Sequence, residues 1–376
     1  MKILYHHRIA SKDGQYVHVE ELTNAFIEQG HELYFVAPQV NENAEFGGDG
    51  GFVSKLKKAL PQSLYEIIEL TYSLWVFIKL AVAILKFKPD VIYERYNLYQ
   101  PAGVLVAKLF NIPLLLEINA PLAEEREKYS GLAMPSFAKK IEDYTWRGAD
   151  YCLPVSNVLA DYVRAVGIEE NKIVVIHNGV KQQFIEHMLK KPIDEDKKQI
   201  TIGFTGFIHP WHGMDKALEA IAEHKELPLK LVCIGDGDIL PELKLQAESL
   251  GISDKVEFMG LITRDKVLDY VQHFDIALQP DVTAYASPLK MFEYMAVGAL
   301  IIAPRTPNIE EILSNDTALF FEKGDKQAFK DTLTEAITNY GKHIAKRTAV
   351  KGSVIENKFV WQENSKRVAS IAQRKV

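Results

Sequence analysis

Short apolar runs alternate along the chain with segments of helical period, and the runs form two series. The first series predicts strands at residues 2–5, 32–37, 91–93, 114–118, 151–155 and 173–176. The second predicts strands at residues 201–204, 230–234, 256–259, 276–279, 300–303 and 318–321. Because most gaps within each series hold an amphipathic helix, the pattern predicts parallel sheets with helices on both faces. The predicted fold class is α/β, with two doubly wound domains facing each other across a cleft.

A charged stretch separates the two series. Residues 187–199 read HMLKKPIDEDKKQ, contain a proline and lack an apolar period, as is typical of a linker. The first predicted domain is therefore 1–186, the linker is 187–199, and the second domain begins at residue 200.

Composition narrows the class of protein. The chain has 376 residues, enough for two domains, and its net charge of −6 gives no footprint for nucleic acid. Cys152 and Cys233 lie far apart in sequence and form neither a disulfide framework nor a zinc pattern, which favours a cytoplasmic protein. Residues 1–5 are expected to be a buried strand, since the run is too short for the core of a signal peptide.

Parallel sheets bind ligands beyond the carboxyl ends of their strands. In the first predicted domain this rule selects His6, His7, Glu94, Arg95, Glu117, Asn119 and Ser156. In the second it selects residues 205–212, Asp236 and residues 287–293. Each lone polar residue could equally be a cap or a solvated loop residue, so the argument rests on the convergence of both sets on one cleft.

Residues 287–304, SPLKMFEYMAVGALIIAP, predict a helix followed by a buried strand. Ser287 suits the N-cap and Pro288 the first helical position. Gly298 suits the C-terminal stop. The pattern therefore predicts a helix that begins directly after Ser287.

Lys290 is the anomaly in this helix, because a cation in the first turn opposes the helix dipole. The placement makes sense if an anion binds there to free backbone N–H groups and to Lys290 together. Glu293 lies one turn later and could accept hydrogen bonds from a pair of sugar hydroxyls. The alternative is an ordinary amphipathic helix with a surface Lys–Glu pair.

Two glycine-rich stretches lie in the first domain. Residues 13–15 (DGQ) follow the first strand, where a doubly wound domain places a ligand loop. They lack three spaced glycines, so no nicotinamide or flavin cofactor is expected. Residues 46–51 (FGGDGG) predict a mobile loop that closes over an acceptor, or a simple connector.

A metal site is not expected. Asp236 and Asp238 have the Asp-x-Asp spacing that holds Mg²⁺ in some nucleotide enzymes. They directly follow a predicted strand within a glycine turn, which favours a structural role.

The most hydrophobic stretch is 64–87. Glu66, Glu69 and Lys79 interrupt it, so it is not an uninterrupted membrane span. Lysines flank it on both sides: Lys55, Lys57, Lys58, Lys86 and Lys88. Two interpretations stay open, a basic apolar helix pair on an anionic membrane surface and a long helix buried against the sheet.

Several segments together resemble retaining glycosyltransferases of family 4, which have the GT-B fold of two Rossmann-like domains. The second half carries most of the resemblance, through residues 203–206 (GFTG), 211–213 (WHG), 233–237 (CIGDG), 256–260 (VEFMG) and 287–298. Residues 173–180 (IVVIHNGV) are similar to the segment that closes the family's first domain. Residues 93–96 (YERY) and 117–121 (EINAP) are similar to a bacterial subgroup that builds surface polysaccharides.

The resemblance implies a donor site and an acceptor side. A nucleotide sugar linked to UDP or GDP would be the donor, with no cofactor and no metal. Catalytic roles fall to Lys290, His212, Glu117 and Asn119. Donor-binding roles fall to Gly206, Phe207, His209, Asp236, Ile262, Ser287, Pro288, Leu289, Lys290 and Glu293, the last of these at the ribose. Acceptor-side roles fall to Gly14, Gln15, His18 and Arg95.

The resemblance also implies the rest of the architecture and the reaction. The second domain would span 200–352, and residues 353–376 would form a helix that crosses back to the first domain. The reaction would be a hexosyl transfer with retention to a saccharide or lipid-linked acceptor, in exopolysaccharide or cell-surface glycan synthesis. The enzyme would be cytoplasmic or peripheral at the inner face of the membrane.

The chain departs from the family pattern at three places. Tyr285 stands where the family often has a second glutamate, and Asn119 stands where it has a histidine. His209 and His212 stand where the first glycine loop usually carries Arg and Lys. Two further readings stay open: a nucleotide-sugar epimerase on the same scaffold, and a non-catalytic homologue that binds a nucleotide sugar, for which Tyr285 and Asn119 are the evidence.

Overall fold

The computed structural model describes residues 1–10, 14–38, 60–194 and 197–374. The strands are β1 Lys2–His6, β2 Glu32–Val36, β3 Val91–Arg95, β4 Leu114–Ile118, β5 Tyr151–Pro154, β6 Ile200–Thr205, β7 Leu229–Ile234, β8 Val256–Gly260, β9 Ile276–Leu278, β10 Leu300–Pro304 and β11 Ala318–Phe321. Three sequence predictions concern residues outside this description: Asp13, the loop 46–51, and the lysines at 55, 57 and 58.

Helices connect the strands. They are α1 Gly14–Glu28, α2 Gln62–Phe87, α3 Ala102–Phe110, α4 Leu122–Tyr129, α5 Pro135–Gly148, α6 Asn157–Ala165, α7 Gln182–Lys190, α8 Met214–Glu223, α9 Leu240–Ser249, α10 Arg264–Val271, α11 Leu289–Val297, α12 Pro307–Glu310, α13 Lys326–Thr338, α14 Ile344–Glu356 and α15 Trp361–Gln373. Short 3₁₀ turns lie at Glu170–Lys172, Pro210–His212, Ser253–Lys255 and Tyr340–His343.

The strands form two parallel sheets. The first has five strands in the order β2-β1-β3-β4-β5, and the second has six in the order β11-β10-β9-β6-β7-β8. Every pairing within them is parallel. Parallel strands need a crossover between them, and the helices supply it while covering the sheet faces. The predicted α/β class with two doubly wound sheets is confirmed.

The chain divides into two compact units. The first unit comprises Met1–His177, Tyr285–Ser287 and Trp361–Val376, and the second comprises Asn178–Ala284 and Pro288–Val360. Residues 178–186 thus pack with the second unit, although the sequence assigned them to the first domain. The predicted linker 187–199 also differs locally, because α7 continues to Lys190.

Each unit has its own apolar core against its sheet. In the first, the core includes Leu4, Ile92, Leu116, Trp146 and Leu159, all essentially inaccessible. In the second, it includes Phe204, Leu231, Ile276, Ile302 and Phe329. The strand residues of both cores are near-continuous apolar runs, as expected for sheets covered on both faces.

Two local predictions are wrong. Residues 173–176 do not form a strand. The N–H groups of Val174 and Ile176 donate to the carbonyls of Cys152 and Pro154, so the segment runs beside β5 with one isolated bridge instead of a ladder. Ser287 is not the N-cap of α11. That helix begins at Leu289 after Pro288, which cannot offer a side-chain cap.

Candidate functional site

The loop after β6 is tied to the first turn of α11 within the second unit. Lys290 Nζ donates to the carbonyl of Thr205 at 2.9 Å and lies 4.4 Å from the centroid of the Phe204 ring. The Thr205 N–H donates to the hydroxyl of Tyr294 at 2.8 Å. Two α11 side chains therefore fix the carboxyl end of β6, and the Lys290 ammonium lies at the sheet edge where ligands bind.

Glycines bring the loops after β6 and β7 together. A Cβ on Gly235 would lie 2.1 Å from the carbonyl oxygen of Gly206, and one on Gly237 would lie 2.0 Å from that of Ile208. Gly206 itself has φ 124°, a conformation that favours glycine. The glycine pattern in residues 233–237 thus permits backbone-to-backbone packing of two loops beside Lys290.

His212 is held neutral in one tautomer. The His209 N–H donates to His212 Nδ1 at 3.1 Å, so the ring proton sits on Nε2. Burial lowers the pKa of His212 to about 3, and the charge of Lys290 adds to the effect. His212 therefore offers Nε2–H as a hydrogen-bond donor near Lys290 at every physiological pH.

Lys290 is a cation in a poorly solvated place. Burial lowers its pKa to about 8, against a smaller opposing effect of Glu293. The first N–H groups of α11 have no carbonyl partner within the helix, as at any helix start. An anion at this point would meet the ammonium, the helix end and the Nε2–H of His212 together.

The other predicted donor-side residues lie on α11, just before it, and on the loops after β6, β7 and β8. Glu293 is buried on α11 one turn after Lys290. Phe207 is exposed, and the His209 ring stacks on Trp211 with centroids 4.2 Å apart. Ile262 is half-buried in the loop after β8. Ser287 packs with the first unit, whereas Pro288 and Leu289 belong to the second.

Asp236 is engaged in its own turn, where Oδ1 accepts the N–H of Gly237 at 2.8 Å. Among the described residues, no group of three or more His, Cys, Asp and Glu side chains could hold a metal ion. The local geometry is that of the structural turn favoured by the sequence.

A second polar cluster lies in the first unit around Glu117 at the end of β4. Oε1 contacts Arg95, lies 3.1 Å from His18 Nδ1 and accepts from Asn119 Nδ2 at 2.6 Å. Oε2 accepts from the Tyr93 hydroxyl at 2.7 Å. The structure thus brings together all four first-domain residues predicted at 18, 95, 117 and 119.

The charge of Glu117 is strongly stabilised. Burial alone would raise the pKa of this carboxyl, but His18 and the Arg95 guanidinium hold it well below its ordinary value. Burial, together with the Glu117 charge, raises the pKa of Tyr5 and Tyr93 well above the usual range. Glu117 is therefore an anion at neutral pH, and its oxygens are already occupied by protein donors.

This arrangement changes the roles expected for Glu117 and Asn119. Glu117 is 2% exposed and is suited to orienting its neighbours. Asn119 is half-buried and keeps donor and acceptor atoms that a ligand could reach. Gly14 and Gln15 lie at the exposed start of α1, one turn before His18 and on the same face.

Sequence reasoning missed the tyrosines in both clusters. Tyr93 bonds to Glu117 and stacks on Tyr5, and Tyr294 holds Thr205. Both lie beside predicted residues, but an aromatic residue in an apolar pattern first indicates core. Only the hydroxyl partner distinguishes these tyrosines from core phenylalanines.

The comparisons with known proteins agree on one class. The sequence model described as "Glycosyltransferase Family 4" matches residues 12–184, and that described as "Glycosyl transferases group 1" matches residues 199–339. The chain is similar to the uncharacterized glycosyltransferase MJ1069 of Methanocaldococcus jannaschii, with 21% identity over 96% of this chain and 95% of that protein. It is also similar to the putative colanic acid biosynthesis glycosyltransferase WcaL of Escherichia coli, with 23% identity over 76% of this chain and 71% of that protein.

A solved structure shares the whole fold. Alr3699/HepE of Anabaena, in complex with UDP, superposes over 100% of both chains with a TM-score of 0.69 at 14% identity. The chain is a glycosyltransferase with the two-domain α/β GT-B fold. Within that class it is GT4-like, as the matches to both halves indicate.

Proposed function

We propose that this glycosyltransferase moves a hexosyl group from a UDP- or GDP-linked donor to a saccharide or lipid-linked acceptor, with retention of configuration. The observation that carries the proposal is Lys290, a half-buried ammonium at the start of α11, with its pKa lowered by burial and with the neutral His212 beside it. HepE has been solved with UDP and with UDP-glucose, which supports a nucleotide-sugar donor. The name of WcaL, a putative colanic acid biosynthesis glycosyltransferase, supports a role in polysaccharide synthesis.

The proposed chemistry concentrates on the leaving group. As the bond between the sugar C1 and the diphosphate oxygen breaks, negative charge grows on the diphosphate. Lys290, the Nε2–H of His212 and the first N–H groups of α11 are arranged to stabilise that charge, which is usually the largest catalytic contribution. No protein atom becomes bonded to the sugar.

The acceptor hydroxyl attacks C1 from the face that the diphosphate leaves. Its oxygen forms the new glycosidic bond, and its proton passes to the departing diphosphate oxygen, so atoms and charge balance. In this scheme Asn119 and Arg95, oriented by Glu117, bind sugar hydroxyls on the acceptor side. The proposed location is the cytoplasm, since Cys152 and Cys233 are buried free thiols.

Turnover assays with a panel of UDP- and GDP-sugars test the proposal. We expect release of nucleoside diphosphate that depends on an added glycan or lipid-linked acceptor, and a product with the donor's anomeric configuration. Conversion of one nucleotide sugar to another without acceptor would instead identify an epimerase. Binding without any turnover across the panel would identify a non-catalytic homologue.

Nucleotide affinity should fall at alkaline pH. The ammonium form of Lys290 binds the diphosphate, and its pKa in the free protein is about 8. Binding raises that pKa, so affinity is constant below about pH 8 and falls by up to tenfold per pH unit above it. Calorimetric titration with UDP or GDP from neutral to alkaline pH measures the slope. Lys290→Met protein should lack it, and an identical slope in that variant would contradict the assignment.

Glu293 is expected to bind the ribose and not to act as a general base. Removing the ribose 2′- and 3′-hydroxyls from the donor should lower kcat/KM far more for the wild type than for Glu293→Gln protein. The loss in kcat/KM on changing the donor is compared between the two proteins. An equal loss in both would argue against ribose contact.

Transfer is expected to proceed without a divalent metal. Asp236, on the loop after β7, already accepts the N–H of Gly237. Activity should persist in excess EDTA after removal of bound ions. Complete loss that Mg²⁺ or Mn²⁺ restores would make Asp236 and Asp238 ligands after all.

A further inference from the structure

Helix α2 is apolar on both faces, but the first unit uses only one of them. The inner face is buried through Tyr65, Val76, Leu80, Ala83 and Ile84. The outer face exposes a continuous stripe, which we call the α2 surface: Leu64, Ile67, Leu74, Trp75, Ile78 and Leu85. Exposed fractions there reach 64% for Leu74 and 65% for Leu85. The stripe runs from Leu64 to Leu85, about 32 Å along the helix axis, far more than scattered apolar residues would give.

The charges on α2 divide between its faces by sign. Glu66 is buried and accepts from the Tyr99 hydroxyl at 2.9 Å and from the N–H of Ala133 at 2.7 Å. Glu69 pairs with Arg126 at 2.9 Å. The exposed charges of the helix are Lys79 and Lys86, and the exposed Lys88 follows its end. The outer face is therefore apolar and positively charged.

The helix is long and apolar enough to cross a membrane by length and composition. The fold argues that it does not. Between β2 and β3 it forms the crossover of the parallel sheet, and Glu66 is bonded inside the first unit. Crossing a bilayer would strip the buried carboxylate of these partners and uncover the sheet. A helix with one committed face and one free apolar face can instead lie in the membrane interface.

We propose that the α2 surface docks on the surface of an anionic lipid bilayer. Apolar side chains would enter the acyl boundary while Lys79, Lys86 and Lys88 meet the headgroups. A second copy of this chain is a poorer occupant. In a pairing of two such stripes the lysines of each copy would approach another positively charged face, and the described part of α2 offers no exposed carboxylate to pair with them.

Docking in this way would bring the first unit's polar cluster close to lipid. The Arg8 guanidinium lies 5.0 Å from the Tyr72 ring, so the first half of α2 lies at the edge where β1 ends. The Glu117 cluster follows β4 at the same edge of the sheet. A lipid-linked acceptor could therefore reach that cluster while its lipid stays in the bilayer.

Flotation of the full chain with vesicles tests the proposal without any donor or acceptor. Wild-type protein should float with phosphatidylglycerol-containing vesicles at low salt, less at high salt, and not with pure phosphatidylcholine vesicles. Replacing Lys79, Lys86 and Lys88 by Gln should weaken binding about 100-fold, from about fivefold per lysine. The matched control replaces Lys225, Lys244 and Lys342, exposed lysines of the second unit, and should bind like wild type.

A second pair of variants tests the apolar contribution. Trp75→Gln with Ile78→Gln should abolish flotation, whereas Leu189→Gln with Leu245→Gln, exposed apolar residues of the second unit, should not. Thermal melting and circular dichroism establish that each variant is folded. Absence of wild-type binding at low salt, or equal binding by the Trp75 variant, would overturn the proposal. So would a wild-type dimer that ignores vesicles and that the Trp75 variant converts to monomer.

Because flotation needs no nucleotide, its failure leaves the proposed transfer reaction standing. A failed turnover panel would likewise leave vesicle binding unaffected.

Discussion

Lys290→Ala protein should bind the nucleoside diphosphate more weakly and transfer sugar about 10²–10³-fold more slowly, the scale of losing one transition-state stabiliser. The ammonium is buried enough to lower its pKa to about 8, and it lies beside the free end of α11. Its attraction for a phosphate oxygen is therefore less screened by water than that of a surface lysine. Calorimetry with UDP or GDP and steady-state kinetics measure the two losses.

Lys216→Ala is the matched control. It removes another lysine from the first turn of a helix in the same unit, but the Lys216 ammonium is already paired with Glu219 at 2.7 Å. Its effect on kcat/KM should be small. A folded Lys290→Ala protein with wild-type affinity and rate would show that the diphosphate binds elsewhere.

Glu117→Gln should strongly destabilise the first unit. The substitution leaves the Arg95 guanidinium buried without its counter-charge, and breaking a buried pair in this way costs about 3–5 kcal/mol. Urea denaturation at neutral pH measures the free energy of unfolding. Acceptor-dependent transfer should fall as well, because Arg95 and Asn119 lose their orienting partner.

The loss should depend on pH with a definite sign. The pKa of Glu117 is lower in the folded protein than in the unfolded chain, so its stabilisation is fully present only above the ordinary glutamate value of 4.5 and is lost as pH falls below that value. The difference between wild type and variant should shrink in acid. Glu142→Gln is the control. Burial raises the pKa of the Glu142 carboxyl, so this substitution should remove less favourable charge interaction than Glu117→Gln does. Equal losses in the two variants would argue against the Glu117 cluster.

The fold was predictable because parallel strands that are covered on both faces consist of nearly continuous apolar residues. Residues 114–118 and 318–321 form strands with the predicted bounds. Residues 173–176 have the same apolar character, but they form only one isolated bridge to β5. The segment runs beside β5 without adding a further strand to the sheet. Composition cannot distinguish these two backbone paths.

The candidate site was predictable where a residue violates a local rule. Lys290 is unfavourable in a first helical turn, and that cost pointed to an anion. Ser287 is a favourable N-cap residue by type, but the N-cap position of α11 is occupied by Pro288. The Glu117 carboxylate is contacted by side chains that come from β3, α1 and the loop after β4: Tyr93, Arg95, His18 and Asn119. Sequence spacing gives no signal for contacts between separate elements.

Backbone amide exchange of the full chain with and without saturating UDP or GDP tests the central claim most directly. Diphosphate bound by Lys290, His212 and the start of α11 should slow exchange in peptides covering residues 205–213 and 288–293. Lys290→Ala protein should show little of this protection at the same nucleotide concentration. Protection elsewhere, with these two segments unchanged at saturation, would contradict the account.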